Sequence, residues 1–234
     1  MKYRPLAITA ILGLASCGTQ GRRFAEAPVI RPNEVADFRV LYGQNCSGCH
    51  GMNGEGGLSV GIGSPVYLAI ADDATIRRVI QAGRPGTAMP AFAQKAGGLL
   101  TDTQVDILVQ GIRDRWARPD SLGKDKAPAY ASSNPGDAAR GQNVFLTFCS
   151  SCHSQDGRGG KGGSIADSSY LALVSDQHLR TVTITGMPSL GAPDWRGNVP
   201  GKPLSDADVT DVVAWLVTQR TPLLSQSIPK GGSE

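Results

Sequence analysis

The chain has 234 residues, and its 23 lysines and arginines against 20 aspartates and glutamates give a formal net charge of +3. Charge this close to balance, with no basic stripe, gives no indication of nucleic-acid binding. Only 40% of the residues are hydrophobic, and 30 are glycines. Such a composition predicts a small hydrophobic core, to which a buried cofactor could add apolar surface.

The N-terminal segment has the features of a secretory signal. Lys2 and Arg4 precede a mostly apolar run over residues 6–15. The run is too short to cross a bilayer as a helix, whereas its length and charged start are typical of an export signal. We therefore expect an exported protein.

Cys17 ends this segment in a Leu-Ala-Ser-Cys sequence that resembles a bacterial lipoprotein processing site. The resemblance implies a lipoprotein signal peptide over residues 1–16, lipid attachment to Cys17, and anchoring to a membrane that faces the periplasm or the outer cell surface. Gly18 stands where an aspartate would retain such lipoproteins in the inner membrane, which favours the outer membrane. Ordinary cleavage nearby, or an uncleaved anchor, would instead leave Cys17 as a spare thiol.

Two copies of one motif, Cys-x-x-Cys-His, occupy residues 46–50 and 149–153. This motif is the attachment signature of c-type haem, in which both thiols add to the vinyl groups and the histidine binds the iron. The sequence therefore predicts two covalently bound haems c. The predicted attachment residues and first iron ligands are Cys46, Cys49, Cys149, Cys152, His50 and His153.

Other interpretations of the motif explain less of it. A thioredoxin-like dithiol needs neither the histidine nor a second copy. A zinc site built from both cysteine pairs would not explain why histidine follows each pair. A disulfide across two intervening residues is strained and uncommon.

The chain is an internal repeat, because Cys149 lies 103 residues after Cys46 and other segments match at the same offset. Residues 67–70 and residues 170–173, for example, both begin Tyr-Leu-Ala. Two homologous domains with separate cores are therefore expected. The predicted organisation is a signal peptide 1–16, a lipidated tether 17–33, a first domain 34–117, a Pro-containing linker 118–135, a second domain 136–221 and a disordered tail 222–234.

Each repeat is predicted to contain helices and Gly-rich loops, without a convincing strand. One helix is expected before each Cys-x-x-Cys-His motif, and middle helices are expected over residues 72–82 and 175–185. The closing helices are the clearest, since Thr101 and Ser205 each start a capping box that precedes an apolar stripe of helical period.

A six-coordinate haem also needs a donor on the face opposite its histidine. Met1 is lost with the signal, and Met52 lies too close to His50 to reach the other face. Met89 and Met187 remain, one in each repeat, and each is followed by a proline that keeps the loop extended. Both are predicted axial ligands, with a space-filling core methionine as the alternative.

Taken in this order and found twice, these features resemble the class I cytochrome c family, and in particular the tandem two-domain dihaem cytochromes c of bacteria. The resemblance implies an all-α fold of two tandem domains, each a few helices packed around a covalently bound haem. It assigns the iron ligands as His50 with Met89 and His153 with Met187.

In this family an aromatic residue of the closing helix usually packs on the first helix. Trp215 fits that role, with Phe145 as the expected partner. The first repeat departs from the pattern, because Gly111 stands at the matching position and Trp116 follows five residues later. We therefore expect a looser or differently built helix contact there, and unequal loops around the two methionines predict unequal haem potentials.

His178 is the only histidine outside the two motifs. It could compete as a ligand of the second haem, but it corresponds to Thr75 in the first repeat. A position on the helix surface is therefore favoured.

The resemblance implies a membrane-anchored electron carrier rather than an enzyme. The expected respiratory or photosynthetic donor is a quinol-oxidising complex or a dehydrogenase, and the expected acceptor is an oxidase or another cytochrome. The alternative is a haem-bearing electron-transfer subunit of a membrane dehydrogenase or respiratory complex. A dihaem peroxidase is disfavoured, because it needs an iron with an open position and two Met-Pro loops argue against one.

Overall fold

A computed structural model of the protein describes residues 30–57 and 59–220. Within these residues the regular structure is ten α-helices, three short 3-10 turns and isolated β-bridges, which confirms the all-α fold class. The helices are α1 Phe38–Asn45, α2 Ser47–His50, α3 Pro65–Ile70, α4 Asp73–Ala82, α5 Asp102–Trp116, α6 Ala138–Phe148, α7 Ser150–His153, α8 Ser168–Leu173, α9 Asp176–Thr185 and α10 Asp206–Thr218.

Several predictions fall outside the part of the chain that the structure describes. These are Cys17, the signal peptide 1–16, the tether as far as residue 29, and the tail 222–234. Helices α1 to α5 lie in the predicted first domain and α6 to α10 in the second, whereas the boundaries of the domains stay predictions. Among the described residues, no helix combines the length and the apolar character needed to cross a membrane.

The closing helices begin where their capping boxes predict. Thr101 accepts a hydrogen bond from the Gln104 N–H at 3.2 Å, and the Thr101 N–H donates to the Gln104 side chain at 3.0 Å. Ser205 and Asp208 make the same reciprocal pair at 3.1 and 2.9 Å. Each box satisfies two N–H groups that the first turn leaves without helical partners.

The four-residue helices α2 and α7 were not predicted, and neither were the six-residue helices α3 and α8. Segments this short cannot show the helical period, so their apolar residues gave no separate signal. The caps of α3 and α8 were visible in the sequence, however, because Ser64 and Asp167 precede these two helices and accept hydrogen bonds from backbone N–H groups.

The first and closing helices cross closely in both repeats. The large side chain at the crossing comes from the first helix in one repeat and from the closing helix in the other. In the second repeat, Trp215 packs on Phe145 with ring centroids 4.3 Å apart, as predicted. This packing needs Gly141 on α6, where an added Cβ would lie 1.9 Å from the Asp211 carbonyl oxygen.

In the first repeat the large and small residues exchange places. Phe38 stands at the position of Gly141 and covers Gly111, whose added Cβ would lie 2.1 Å from the Phe38 ring. Trp116 then packs edge-on against Tyr42, with ring centroids 5.1 Å apart. The contact between α1 and α5 is therefore built differently from that of the second repeat, as predicted. It is not looser, because Phe38 lies directly against Gly111.

The expectation of separate cores is confirmed only in part. The buried side chains of one cluster all come from the first repeat and those of a second cluster all come from the second repeat, but a third cluster joins the two. Val66 of α3 belongs to one buried cluster with second-repeat side chains that include Phe148 and Trp195. Leu122 and Ala127 of the linker pack against the same cluster. The repeat pattern could not show this contact, because it depends on which outward faces of the two repeats meet.

One arginine in or just after each closing helix fixes the neighbouring short helix. Arg113 donates to the carbonyl oxygens of Leu68 and Ala71 and pairs with Asp73. Arg220 makes the corresponding three contacts in the second repeat. Both arginines thus hold the junction from which the middle helix starts, and the middle helix leads to the loop with the predicted methionine ligand.

Replacing Gly141 with alanine should destabilise the protein, because the added methyl group has no space between α6 and α10. We expect the free energy of unfolding to fall by about 1–3 kcal/mol, the usual cost of overpacking. Gly43→Ala is the matched control, since Gly43 also lies inside a helix but has nothing within 4 Å of an added Cβ.

For Gly43→Ala we expect a gain of about 0.5–1 kcal/mol, because alanine loses less backbone entropy in a helix. Denaturant unfolding of both variants, followed by far-UV circular dichroism, checks the pair of values. Equal effects of the two substitutions would contradict the close helix crossing.

Candidate haem-binding site

The helical turn explains the spacing of each Cys-x-x-Cys-His motif. Cys46, Cys49 and His50 stand at positions i, i+3 and i+4, which share one face of a helix. The His50 N–H donates to the Cys46 carbonyl at 3.0 Å, and the corresponding bond from His153 to Cys149 is also 3.0 Å. Both motifs therefore present two thiols and one imidazole on the same side of the chain.

A backbone carbonyl from the Gly-rich loop orients each imidazole ring. The His50 Nδ1 lies 2.9 Å from the Val60 oxygen, and the His153 Nδ1 lies 2.8 Å from the oxygen of Gly163, the corresponding residue. Because a carbonyl can only accept, Nδ1 carries the proton and Nε2 keeps its lone pair. This is the tautomer that a metal-binding histidine needs.

The loop must approach the ring closely to make this bond. At Gly162 an added Cβ would lie 2.8 Å from the His153 Cε1, so only glycine fits there. The sequence analysis recognised the Gly-rich loops but not the role of their carbonyl groups, because a backbone acceptor leaves no side-chain signal.

Burial holds His50 and Cys46 of the first motif in their neutral forms. Burial lowers the pKa of His50, against a smaller opposing effect of its bond to Val60. Burial, together with the nearby thiol of Cys49, raises the pKa of Cys46 to about 12. The four motif cysteines are free thiols in this structure, not disulfides. The disulfide interpretation therefore finds no support.

The first set of predicted residues meets in a single cavity. Cys46, Cys49, His50 and Met89 all line it, and its walls include apolar side chains such as Ile80. Two thiols for thioether bonds, an imidazole with a free Nε2, a thioether and apolar walls are the donor set and surroundings that a haem c requires. The residues present fit that group.

Gly83 allows the chain to lead Met89 into this cavity. Its φ is +64°, and an added Cβ would lie 2.5 Å from the Pro90 carbonyl carbon. The loop is then held by the Arg84 N–H, which donates to the Met89 carbonyl at 2.9 Å. Thr87 accepts from the Met89 N–H at 3.2 Å.

The second set is placed only in part. Cys149, Cys152 and His153 share the turn at α7, and Met187 follows the end of α9, where its N–H donates to the Ala192 carbonyl at 3.0 Å. That Met187 binds the iron opposite His153 stays a prediction.

The second repeat supplies a wall of the first cavity, which the sequence analysis missed. Gln177 and His178 of α9 line it, together with Tyr130 of the linker. Burial lowers the pKa of His178 to about 4, and the nearby charges of His50 and Arg84 add to this effect. His178 is therefore half-buried and lines the first cavity. This position differs from the predicted one on the helix surface. The cavity contains the first motif, whereas a competing ligand of the second haem would have to lie beside the second motif.

Comparisons with known proteins agree with this arrangement. A family model described as cytochrome c oxidase, cbb3-type, subunit III matches residues 33–110, and the cytochrome c family model matches residues 138–220. Cytochrome c55X of Stutzerimonas stutzeri is 31% identical over 108 residues, which are 46% of this chain and 89% of that protein.

Two longer relatives are similar to more of the chain. The cytochrome bc1 complex cytochrome c subunit of Mycobacterium tuberculosis is 25% identical over 185 residues, 77% of this chain and 64% of the relative. The cbb3-type cytochrome c oxidase subunit CcoP of an Azospirillum species is 29% identical over 136 residues, 53% of this chain and 41% of the relative. The chain thus spans less than two thirds of either relative's length.

Gly83→Ala should displace the predicted ligand Met89, because the added methyl group meets the backbone of Pro90. We expect the ferric sulfur-to-iron charge-transfer absorption to weaken by about half, since one of two contributing sites is lost. Gly97→Ala is the control, because Gly97 also has a positive φ, +85°, but nothing lies within 4 Å of its added Cβ.

The control should lower stability by about 1–2 kcal/mol through its backbone conformation and leave the absorption intact. Absorption spectra and thermal unfolding of both oxidised variants check this. An unchanged absorption in Gly83→Ala would contradict the placement of Met89.

Proposed function

Because this chain belongs to the cytochrome c family and contains two cytochrome c domains in tandem, we propose that it is a dihaem electron-transfer protein without catalytic activity of its own. The observation that carries the proposal is the repeated pairing of two thiols with an imidazole whose Nδ1 is bound by a loop carbonyl. Haem bound at such a site supplies a one-electron iron couple.

The chain's own residues have separate roles in this proposal. The four motif cysteines form the covalent links, which keep the cofactor on the protein in either oxidation state. His50 and His153 offer Nε2 to the iron, while Met89 and Met187 offer thioethers. A thioether favours the reduced iron more than a second imidazole does, so this ligand set suits a carrier of comparatively high potential.

We also propose export and lipid anchoring at Cys17, on the periplasmic or outer face of a membrane and preferably the outer membrane. The support is the Leu-Ala-Ser-Cys sequence of residues 14–17 behind a short apolar segment, with Gly18 next in the chain. Several acyl chains would anchor the protein stably, where one chain would not.

A second candidate is a fixed electron-transfer subunit of a respiratory complex. One observation favours it: the similarity to the mycobacterial bc1 complex subunit covers 77% of this chain and therefore extends into both repeats. In either role, the proposed donor is a quinol-oxidising complex or a dehydrogenase, and the proposed acceptor is an oxidase or another cytochrome.

The cofactor number is tested by mass and by haem staining. The matured protein should exceed its processed polypeptide by the mass of two haems and keep its haem stain after denaturation. Cys149→Ala should lose one covalent link and, with it, most of the second haem. Ser150→Ala, within the same motif, should retain both haems.

Haem that extracts into acidic organic solvent would overturn the proposal. A high-spin haem that reacts with peroxide would favour an enzyme instead.

Cys17→Ser distinguishes the lipid anchor from a protein anchor. Without a lipid, we expect the variant in the soluble fraction, because no acyl chain then holds it to the membrane. Fractionation of cells that express each form, with haem staining of both fractions, measures this. A variant that stays on the membrane and copurifies in mild detergent with an oxidoreductase would support the subunit role and contradict lipid as the only anchor.

A further inference from the structure

Three residues that break the repeat meet at the first cavity. Arg84 opens a five-residue insertion before Met89 that the second repeat lacks. His178 stands on α9 where the first repeat has Thr75, and Tyr130 belongs to the linker, which occurs once. All three line the cavity that contains the first Cys-x-x-Cys-His motif.

Polar contacts connect these residues across the boundary between the repeats. The Arg84 guanidinium donates a short hydrogen bond to the Tyr130 hydroxyl. The Gln177 side chain donates to the Tyr130 carbonyl at 2.7 Å, and His178 is the next residue on α9. The His178 ring lies edge-on to Tyr170, with ring centroids 6.3 Å apart. The linker thus connects the insertion of the first repeat to α9 of the second.

This part of the cavity contains a cation and hydrogen-bond donors but no acid. Arg84 is half-buried, and its side chain pairs with no acidic residue within the described part of the chain. No aspartate or glutamate occurs among the described residues that line the cavity. Because no acidic side chain of the described residues pairs with it, the Arg84 guanidinium is available to bind an anion that enters the cavity.

The group proposed for this cavity carries such anions. A haem has two carboxylates on the edge of the ring opposite the two vinyl groups. Because Cys46 and Cys49 would fix the vinyl edge, the carboxylates need partners elsewhere in the same cavity.

We propose that Arg84, Tyr130 and His178 bind the carboxylates of the first haem, so that the second domain completes the first haem site. The inference rests on the proposed haem at the first motif. Its consequence is that the charge around the first haem, and therefore its reduction potential, depends on a side chain of the other domain. The second haem has no equivalent arrangement, since none of the three residues has a counterpart in the repeat.

The test uses the full-length matured protein with Met187→His as background. In that background only Met89 gives a sulfur-to-iron absorption. Because this absorption disappears when the iron is reduced, its loss measures the reduction of the first haem alone. Arg84→Gln and His178→Leu are made singly and together. Arg115→Gln is the matched control, because Arg115 is an exposed arginine of α5 that does not line the cavity.

Each cavity variant should lower the potential of the first haem, because less positive charge and fewer donors then face the carboxylates and the ferric form is favoured. The double variant should deviate from the sum of the single changes by about twofold or more in the reduction equilibrium constant. Arg115→Gln should leave that constant nearly unchanged. Haem content per chain confirms that every variant matures. If His178→Leu does not mature, His178→Phe replaces it.

Strict additivity, or an unchanged potential in the His178 variant, would overturn the proposal. Loss of the sulfur-to-iron absorption in that variant would also overturn it, since His178 would then control the axial ligand. If Met187→His alone leaves the absorption at full strength, the proposed axial ligands fail instead.

A measurement on the wild-type protein does not depend on any variant. With ¹⁵N-labelled histidine, the ring resonances of His178 should shift when the first haem is oxidised to its paramagnetic form. Resonances that do not respond would place the ring away from the haem and contradict the proposal.

Discussion

Both proposed haem sites depend on one hydrogen bond, made from an imidazole Nδ1 to a loop carbonyl. It fixes the proton on Nδ1 of His50 and His153 and so leaves Nε2 free for iron. In the second repeat the loop lies so close that a side chain at Gly162 would collide with the ring, whereas the first repeat makes the same bond with Ser59 at the matching position. The helical turn then places the two thiols of each motif beside that ring. The backbone therefore orients the iron-binding groups of each site, and few side chains are needed for this purpose.

The helix crossing behind each motif shows how one geometry is reached by two sequences. In the first repeat Phe38 is large and Gly111 small, and in the second repeat Gly141 is small and Trp215 large. Packing requires that the volumes on the two helices together fill the space, not that either position keeps its residue. A comparison of single positions therefore understates the similarity of the repeats.

The sequence was informative wherever a contact is made between residues at fixed spacing inside one repeat. The capping boxes at Thr101 and Ser205 and the contact of Phe145 with Trp215 are of this kind, and the structure confirms them. The sharing of a core through Val66 and the position of His178 are of another kind. Both depend on which outer faces of the repeats meet, and a repeat pattern describes each unit as if it stood alone.

The linker stabilises the contact between the two repeats. Arg180, only 3% exposed, donates to the carbonyl of Ala129 at 2.8 and 3.0 Å and pairs with Asp206 on α10. Separating the linker from α9 would remove the carbonyl that accepts two hydrogen bonds from the buried Arg180, a change that is costly because the freed donors would stay buried. The linker is thus fixed to the second repeat, and it contacts the first repeat through the hydrogen bond of Tyr130 with Arg84. A fixed spacing between two redox sites would let an electron pass between them without a diffusive encounter, which suits both the free carrier and the complex subunit proposed for this chain.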